Sequence, residues 1–583
     1  MISFKNIRYS VGCGIVAALA LTACADWDDH YEANTSVLNT QNATLWENIE
    51  SNSNLSNFAS LLKKTGYDKV LGASQTYTVW APVNGSFNFD ALSAASNEKV
   101  VKEFIQNHIS RSNYVLTGKV NDKDRKVFML NEKMMLLDGN GNYAIQGIGF
   151  DKMNVSSSNG ILHTLKEQIP FLANIYESLN SDDYAIDSIS NYFHGYDKKE
   201  LNEYRSVAGP IVNGEKTYLD SVFDENNDLY LLYNSFINRE DSNYTMIIPT
   251  NEAWIKAKEA IKKLYHFVPT FTFEEGNLAV TKERENTEVK LRDTNYLQDS
   301  ISNLVMMNDL FYNNNLYDNK RLNDLQTGQT LYCDSLYATT RAKIYTEDAA
   351  RLFENAQRVN KSNGAIWLTD SLRVRPWTSW NPEIKLEGEN AMMIAGKSAI
   401  ANNEPTRVYI ASGTRNPAVP GRISNQSYME VQPSASNANP EIDYYLPDIR
   451  STEYSIYVVF VPANINNTNR EGLPYRMQFR MRYADETGKV AEDRLKNPVD
   501  DSYNFSNDPT KVDTLYLGDI TFPVAYLGTG NYYPCLRILS QVQNKDKDLY
   551  DRTLRIDCII LRPKNLDNYL KEHPDYKYDD GNY

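Results

Sequence analysis

The stretch Tyr77-Thr-Val-Trp-Ala-Pro-Val-Asn-Gly-Ser-Phe87 decides the fold, because a related stretch, Tyr244-Thr-Met-Ile-Ile-Pro-Thr-Asn-Glu-Ala-Trp254, occurs again along the chain. Each is an apolar, β-rich run followed by a proline, an asparagine two residues later and an aromatic residue. This order predicts a buried strand that leaves its sheet, then a turn, then a helix start capped by the asparagine side chain.

A second motif closes each copy. In Ser158-Asn-Gly-Ile-Leu-His163 the asparagine lies 75 residues after Asn84, and in Ser362-Asn-Gly-Ala-Ile-Trp367 it lies 112 residues after Asn251. In each, the glycine can take a positive φ in a turn that leads into an apolar strand. Two such pairs in the same order indicate a duplicated module.

The paired motifs resemble those of the fasciclin (FAS1) family. The first copy carries the family's residues at Thr78, Ala81, Pro82, Asn84, Phe87, Asn159, Gly160 and His163, with Trp80 in place of a phenylalanine. Phe104-Ile-Gln-Asn-His-Ile109 resembles the family's helix-to-strand stretch, so the resemblance covers about residues 42–175. The second copy keeps Pro249, Thr250, Asn251, Asn363 and Gly364, but has Trp367 instead of the histidine and a longer interior. The resemblance implies α+β modules that serve adhesion or ligand capture.

The first 23 residues have the pattern of a secretion signal. Lys5 and Arg8 precede the apolar-to-small stretch Val11–Ala23, which is too short to span a bilayer permanently. It ends in Leu21-Thr-Ala-Cys24, which resembles a bacterial lipobox, so we predict lipidation of Cys24. The alternative is an ordinary signal peptide that contains a cysteine. Two or three acyl chains would anchor the mature chain stably.

Acidic residues follow the predicted lipidation site at once. Ala25-Asp-Trp-Asp-Asp29 resembles the export signal that Bacteroidota-type bacteria use to place lipoproteins on the outer face of the outer membrane. The alternative is a solvated acidic linker, and residues 24–41 suit a flexible tether in either case. The sequence therefore predicts a lipid-anchored outer-membrane protein that faces the cell exterior.

Charge and composition exclude nucleic acid as a partner. The formal net charge is −15, and removal of Lys5 and Arg8 with the signal makes it more negative. Such a surface repels phosphate backbones, and the chain has no long run of lysine or arginine. The 40 tyrosines and 7 tryptophans suit a binding surface, although structural tyrosines in sheets explain them equally well.

The periodicity predicts three folded parts: one module over 42–173, a divergent second module over 174–385 with an insertion at 268–295, and an all-β sandwich over 386–583. In the second module we expect a helix over Ser300–Tyr312 and a closing β-tract to about Trp380.

The sandwich is predicted from half-buried strands separated by Asn, Gly, Pro and Asp loops. Arg476–Tyr483 alternates polar and apolar residues, and Thr553–Leu561 places Leu554, Ile556, Cys558 and Ile560 on one face. The layout resembles a galactose-binding-like jelly roll, as in carbohydrate-binding modules.

No catalytic, metal or cofactor motif of the common kinds occurs in the sequence, so we predict a protein that is not an enzyme and has no cofactor. His108 and His163 are expected to be satisfied core or turn histidines rather than metal ligands. Asp138-Gly-Asn-Gly lacks the later ligands of a calcium loop and favours a hairpin turn. Cys535 and Cys558 are either a disulfide or, by default, buried thiols.

Two groups of aromatic residues are candidates for ligand binding. Trp377 and Trp380 flank the junction before the sandwich, where a sugar ring packs well on an indole and Arg375 can orient hydroxyls. The alternative is that these tryptophans join two domains. Tyr526, Tyr532 and Tyr533 surround a glycine-containing loop, and their alternative role is to anchor that loop.

We therefore predict a cell-surface lipoprotein that binds an extracellular ligand, with a glycan favoured over a protein. The resemblance also implies an accessory role beside an outer-membrane nutrient transporter. The first alternative is a structural scaffold docked on a partner outer-membrane protein. The second is a glycan-active enzyme with scattered carboxylates.

Overall fold

A computed structural model describes residues 43–116, 125–139, 142–180, 183–268, 282–285, 288–291, 294–316, 319–326, 335–527, 534–576 and 578. They divide into two compact units. The first holds residues 43–173 and Lys198–Asn226, and the second holds Asn174–Asp197 and the chain from Asn227 onward. Among the described residues, no helix combines the length and the apolar character needed to cross a membrane. Cys24, Tyr532 and Tyr533 lie outside the described residues.

The first unit combines short helices with one large sheet. Its helices are α1 Leu45–Glu50, α2 Ser56–Thr65, α3 Tyr67–Gly72, α4 Phe89–Ala94 and α5 Asn97–Val100. Its first seven strands are β1 Tyr77–Pro82, β2 Ile109–Ser110, β3 Arg125–Phe128, β4 Met134–Asp138, β5 Ala144–Ile145, β6 Ile148–Ser157 and β7 Gly160–Leu165. The segment around Lys198–Asn226 adds β8 Asp197–Leu201, β9 Val207–Ala208, β10 Tyr218–Asp220 and β11 Phe223–Asn227.

Both sequence motifs of the first copy lie side by side, as the second and third strands of this sheet. The strand order is β2-β1-β7-β6-β5-β4-β3, and β1 runs parallel to β7 from the pair Tyr77–Gly160 to the pair Pro82–Leu165. Both strands are buried along their whole length, as expected for neighbouring parallel strands with covered faces. The motifs thus pair with each other although about 75 residues separate them.

The second unit begins with elements that repeat this arrangement. Its helices here are α6 Ile175–Ser178, α7 Asp187–His194, α8 Asp228–Leu232, α9 Asn251–Lys262, α10 Thr294–Met306, α11 Arg321–Asp324, α12 Thr346–Leu352 and α13 Pro376–Ser379. Its strands are β12 Tyr244–Pro249, β13 Lys282–Glu285, β14 Glu288–Leu291, β15 Phe311–Asn313, β16 Ser335–Tyr337, β17 Lys343–Tyr345, β18 Gln357–Lys361 and β19 Gly364–Thr369. In the sheet β15-β12-β19-β18, β12 and β19 pair in parallel from Tyr244–Gly364 to Pro249–Thr369.

Two boundaries in this region differ from the prediction. The helix predicted over Ser300–Tyr312 ends at Met306, because Phe311 and Tyr312 leave it to pair with β12. The closing β-tract ends at Thr369 rather than near Trp380, since Pro376 fits the first turn of α13.

The asparagine of each opening motif caps a helix, but a different helix from the one predicted. Asn84 Oδ1 accepts a hydrogen bond of 3.0 Å from the amide of Asn57 in α2, and Asn251 Oδ1 accepts one of 2.8 Å from Ser188 in α7. Both helices precede the motif in the chain. The helix after Asn251 is instead capped by Thr250.

The asparagine of each closing motif ties the start of its module to the sheet. Asn159 Oδ1 accepts from the Leu45 amide, and its amide group donates to the carbonyls of Leu71 and Ala73. Asn363 repeats the pattern: it accepts from the Ile175 amide and donates to the carbonyls of Ile237 and Arg239. The shared network shows that the two copies are built alike at their centre.

The rest of the second unit is almost entirely β-structure. Its strands are β20 Ile384–Glu387, β21 Ile394–Ser398, β22 Thr406–Tyr409, β23 Ser427–Val431, β24 Glu441–Tyr445, β25 Glu453–Phe460, β26 Met477–Ala484, β27 Val490–Arg494, β28 Asp513–Thr521, β29 Cys535–Ser540 and β30 Leu554–Pro563, followed by helix α14 Lys564–Glu572. One sheet has the order β22-β23-β30-β25-β28, with β20 also on β30, and the other has the order β21-β24-β29-β26-β27. Both sheets contribute to one hydrophobic core, which is the arrangement of a β-sandwich.

The predicted face of the last long strand is wrong beyond Ile556. Leu554 and Ile556 point into the shared core, but the next core residues are Ile559 and Leu561, while Cys558 and Ile560 join another cluster. A β-bulge at Asp557 inserts one residue against β25 and therefore exchanges the two faces of the strand. Cys558 on β30 and Cys535 on β29 are buried thiols on different sheets, as the default prediction stated.

Candidate functional site

A cleft of about 260 Å³ opens within the second unit, where the C-terminal segment meets the chain before the sandwich. Its described lining consists of Lys343, Tyr345, Asp348, Trp377, Thr378, Pro382, Tyr576 and Tyr578. Four of these eight side chains are aromatic, and two carry opposite charges. Hydrophobic faces with a few placed polar groups are typical of sites for small organic ligands and sugars.

The short helix α13 places Trp377 in the cleft. Ser379 at its end donates a hydrogen bond to Oδ2 of the buried Asp309, and burial raises the pKa of that carboxyl to about 7. Trp377 is 5% exposed, and its ring lies 5.1 Å from that of Tyr569 on α14. Trp377 therefore lines the cleft and also packs against the C-terminal helix α14, and both predicted roles stay open for it.

A hydrogen-bonded chain connects the polar wall of the cleft. Trp377 Nε1 donates to the Tyr576 hydroxyl over 3.1 Å, and that hydroxyl donates to Asp348 Oδ2 over 2.5 Å. Arg375 Nε donates to Asp348 Oδ1 over 2.9 Å, and its guanidinium lies 4.6 Å from the Tyr569 ring centre. Burial, followed by the bond to Asp348, raises the pKa of Tyr576. The Asp348 carboxyl group thus accepts hydrogen bonds from Arg375 and Tyr576 and holds both side chains beside the cleft.

The C-terminal segment reaches the cleft because α14 is anchored on the sheet behind it. Asp567 of α14 is buried and accepts hydrogen bonds from the hydroxyls of Ser455 and Tyr457 and from Lys571. Tyr569 follows two residues later. Tyr578 accepts a hydrogen bond from the backbone amide of Glu383 over 3.1 Å.

The structure separates the predicted binding residues. Trp377 lines the cleft, and Arg375 binds Asp348 beside it. Trp380 is instead buried in the core of the second copy, where its backbone carbonyl lies 3.4 Å from the Tyr265 hydroxyl. Tyr526 is 5% exposed, pairs through its backbone with Ile449 and is not among the described residues that line the cleft.

Sequence reasoning missed most of the cleft. Asp348, Lys343 and Tyr345 come from α12 and β17, and Tyr576 and Tyr578 come from the last residues of the chain. The sequence does show an alternation at Lys343-Ile-Tyr345 and a pair of tyrosines at 576 and 578. Nothing in it indicates that these two segments, more than 200 residues apart, meet at one cleft. Among the described residues, no cluster of three or more His, Cys, Asp or Glu side chains is arranged to hold a metal ion.

The two histidines of the first copy are satisfied core residues, as predicted. His108 Nδ1 donates to the Phe104 carbonyl and its Nε2 accepts from the Ile169 amide. His163 Nε2 donates to the Tyr114 carbonyl and its Nδ1 accepts from the Asn154 amide, while its ring stacks on Trp80 at 4.7 Å. Each ring uses one nitrogen as donor and the other as acceptor, so a second proton would face an N–H group. Burial lowers the pKa of each to about 4.

These histidines should make the first unit sensitive to acid. Each is neutral when folded and has a pKa near 6.5 when unfolded, so its stabilising contribution is complete above pH 6.5 and is lost as the pH falls towards 4. The loss should be on the order of 3 kcal/mol per histidine. Hydrogen exchange of β1 and β7 peptides, read by mass spectrometry between pH 7 and pH 4.5, measures it. The variant His163→Gln should show a shallower pH dependence, and an unchanged slope would contradict the assignment.

The fold and the paired motifs define the class of the N-terminal part: residues 53–169 match the fasciclin domain family and form a FAS1 domain. No curated protein sequence matches the chain. Among solved structures, the FAS1 domain pair of the insect cell-adhesion molecule fasciclin I is 12% identical, with a TM-score of 0.19, and the match covers 56% of this chain and 98% of that one.

Two further solved structures match the chain. The CBM22-1–GH10 modules of xylanase 10B from Clostridium thermocellum, complexed with xylohexaose, are 11% identical, with a TM-score of 0.19 and coverage of 31% of this chain and 28% of that one. The family 22 carbohydrate-binding module of the same xylanase is 15% identical, with a TM-score of 0.15 and coverage of 26% and 88%. TM-scores this low carry no assignment of function.

Proposed function

We propose that this protein is a lipid-anchored cell-surface protein that captures an extracellular glycan, with two fasciclin-like modules and a C-terminal jelly-roll sandwich. The observation that carries the proposal is a cleft whose lining combines four aromatic side chains with the charged groups of Lys343 and Asp348. Aromatic faces suit the C–H faces of sugar rings, and the charged groups suit their hydroxyls.

The cleft favours binding over catalysis. Hydrolysis of a glycosidic bond ordinarily needs two carboxyl groups on opposite sides of the scissile bond. Asp348 is the one carboxylate among the described lining residues, and Arg375 and Tyr576 both engage it. A group held in this way positions a ligand and is poorly placed to exchange protons with it.

The binding role predicts a loss of retention in polysaccharide affinity gels when the aromatic wall is removed. Truncation of such anchors typically costs about 2 kcal/mol, so Tyr345→Ala should weaken binding by more than about tenfold, whereas Trp377→Phe should have a smaller effect because it removes only part of the ring and the Nε1 donor. Trp377→Phe keeps an aromatic ring against Tyr569 and so preserves the packing. Trp46→Ala is the control. Trp46 belongs to the first unit, where its ring lies 5.3 Å from the Lys63 ammonium, so this variant should leave retention unchanged. Migration of the wild-type protein without retardation on a broad glycan panel would refute the proposal.

A scaffold role is the second candidate, and one feature of the first unit favours it. The segment Lys198–Asn226 exposes large apolar side chains, namely Leu201, Tyr204, Ile211, Val212, Leu219 and Phe223, of which Tyr204 is fully exposed. Exposed apolar patches are typical of protein–protein contacts. An outer-membrane transporter that co-purifies in stoichiometric yield would support this role, which is compatible with an accessory subunit of an uptake system.

The location is proposed from the lipobox-like sequence at Cys24 and the acidic residues after it. Proteinase treatment of intact cells tests it, since a chain on the outer face is cleaved and a chain facing the periplasm is protected.

A further inference from the structure

A second cleft, of about 460 Å³, lies in the same unit. Its described lining is Asn234, Tyr244, Asn313, Leu316, Tyr337, Ala338, Thr339 and Arg341. The lining contains two tyrosines, two amides, a hydroxyl and a cation, and no carboxylate among its described residues. The sequence motifs gave no indication of this cleft beyond the placement of Tyr244 in β12.

Two polar groups of this cleft have no partner within the described part of the chain. The Thr339 hydroxyl makes no hydrogen bond although the residue is only 9% exposed. The exposed Arg341 guanidinium makes no ion pair or hydrogen bond with a described residue. The backbone of Arg341 has a φ of 74°, in the left-handed region, at the hairpin turn. A buried hydroxyl without a partner is costly and is normally satisfied by water or a ligand.

The turn that carries these groups is held firmly. The Thr339 amide donates to the Phe311 carbonyl, and Thr340 Oγ1 donates to the Asn308 carbonyl. The Arg341 amide closes the turn onto Ala338. Thr339 and Arg341 are therefore placed by the core sheet through β15.

One face of the hairpin of β16 and β17 joins the two clefts. Tyr337 pairs with Lys343 and Ser335 with Tyr345, so these side chains share a face, while Leu336 and Ile344 point into the core. The Lys343 ammonium lies 5.7 Å from the Tyr337 ring and 4.7 Å from the Tyr345 ring. Tyr337 lines the second cleft, and Lys343 and Tyr345 line the first. The linings of the two clefts thus touch.

We propose that the two clefts and the hairpin face between them form one extended groove for a linear glycan that carries carboxylate groups. This inference rests on the proposed glycan capture at the first cleft and adds the length and the charge of the ligand. Tyr337 and Tyr345 are diagonal neighbours on the two paired strands, about 7–8 Å apart, and each stacks a sugar ring. Arg341 and Lys343 pair with the carboxylates.

The charge of the second cleft, unlike that of the first with its Asp348, favours an acidic glycan over a neutral one. The chain has a formal net charge of −15, yet Arg341 has no acidic partner among the described residues, and the second cleft has no described acidic lining residue. An arginine fork suits bidentate recognition of a carboxylate, and a hydrogen bond to a charged group contributes more than one to a neutral group.

Titration calorimetry with defined oligomers tests the groove. The probes are the dimer and hexamer of galacturonate, and the dimer and hexamer of xylose as uncharged counterparts. We expect the galacturonate hexamer to bind at least about tenfold more tightly than its dimer and than the xylose hexamer. Arg341→Gln should weaken binding of the galacturonate hexamer about tenfold, equivalent to about 1.4 kcal/mol, and leave the dimer unchanged. Arg341→Lys should retain part of the affinity.

The control is Arg373→Gln, which removes an arginine that lines neither cleft and donates to the Glu354 carbonyl. It should leave all four affinities unchanged. Equal binding of the two hexamers, with no effect of Arg341→Gln, would overturn the extended acidic groove while leaving capture at the first cleft intact. If no oligomer binds, the extended acidic groove fails, and the proposed function fails as well only when the wild-type protein is also not retarded on the broad glycan panel.

Discussion

Replacing Gly364 with alanine is expected to unfold the sheet β15-β12-β19-β18 of the second unit. Gly364 has a φ of 138°, and a Cβ atom there would lie 1.8 Å from the Tyr244 carbonyl oxygen and 2.8 Å from its carbon. The obstacle is the backbone of the paired strand, which cannot move without breaking the parallel register. Backbone strain alone costs about 1–3 kcal/mol, and the overlap with the Tyr244 backbone should raise the total above about 4 kcal/mol.

Urea denaturation followed by circular dichroism, with limited proteolysis of the second unit, measures this cost. The matched control is Gly413→Ala in the same unit. Gly413 also has a positive φ, of 84°, but a Cβ atom there would meet no atom within 4 Å, so the cost should be about 1–2 kcal/mol. An equal loss in the free energy of unfolding for the two substitutions would show that the close approach of the Tyr244 carbonyl is not the cause.

The second large effect is expected for Arg555→Ala in the sandwich. Arg555 is 1% exposed, and its guanidinium donates to Glu430 Oε2 and to Asp551 Oδ2, each over 2.9 Å. It also donates to the Tyr475 hydroxyl over 3.2 Å. Removal of the arginine leaves the largely buried Glu430 without its countercharge and leaves Asp551 with only Arg470, at 3.7 Å, which should cost about 3–5 kcal/mol.

Arg480→Ala is the control for this prediction. Arg480 also lies on a sandwich strand and pairs with Glu492 over 2.8 Å, but the two side chains are 41% and 37% exposed. Solvent screens such a pair, so the loss should stay below about 1 kcal/mol. The difference between the two variants in the midpoint of urea unfolding isolates the effect of burial. A similar midpoint for both would refute the role assigned to Arg555.

The repeated motifs predicted the centre of each copy well. An apolar run before a proline gives a strand, and Ser-Asn-Gly before a second run gives another, whatever lies between them. The motifs did not predict that the two strands pair in parallel. They also did not explain why each closing motif needs a glycine. The reason is that the Tyr77 carbonyl approaches Gly160 in the first copy and the Tyr244 carbonyl approaches Gly364 in the second.

The errors have a common physical cause. Asn84 was predicted to cap the next helix because capping is normally local, but its side-chain Oδ1 accepts a hydrogen bond from the backbone amide of Asn57, 27 residues earlier. The face of β30 was predicted from strict alternation, but the bulge at Asp557 shifts the phase by one residue. Both errors concern contacts between segments that are distant in the sequence.

The sequence by itself determined the local elements, the repeat and the FAS1 character of residues 53–169, because apolar periodicity, proline and glycine act on neighbouring residues. The tertiary structure alone decided the candidate site. Trp377 was recognisable as a candidate, but Asp348 and Tyr576 meet it only when the last residues of the chain pack beside α12 and α13. Burial and hydrogen bonding between distant segments determine that geometry, and the periodicity and motifs of the sequence do not predict it.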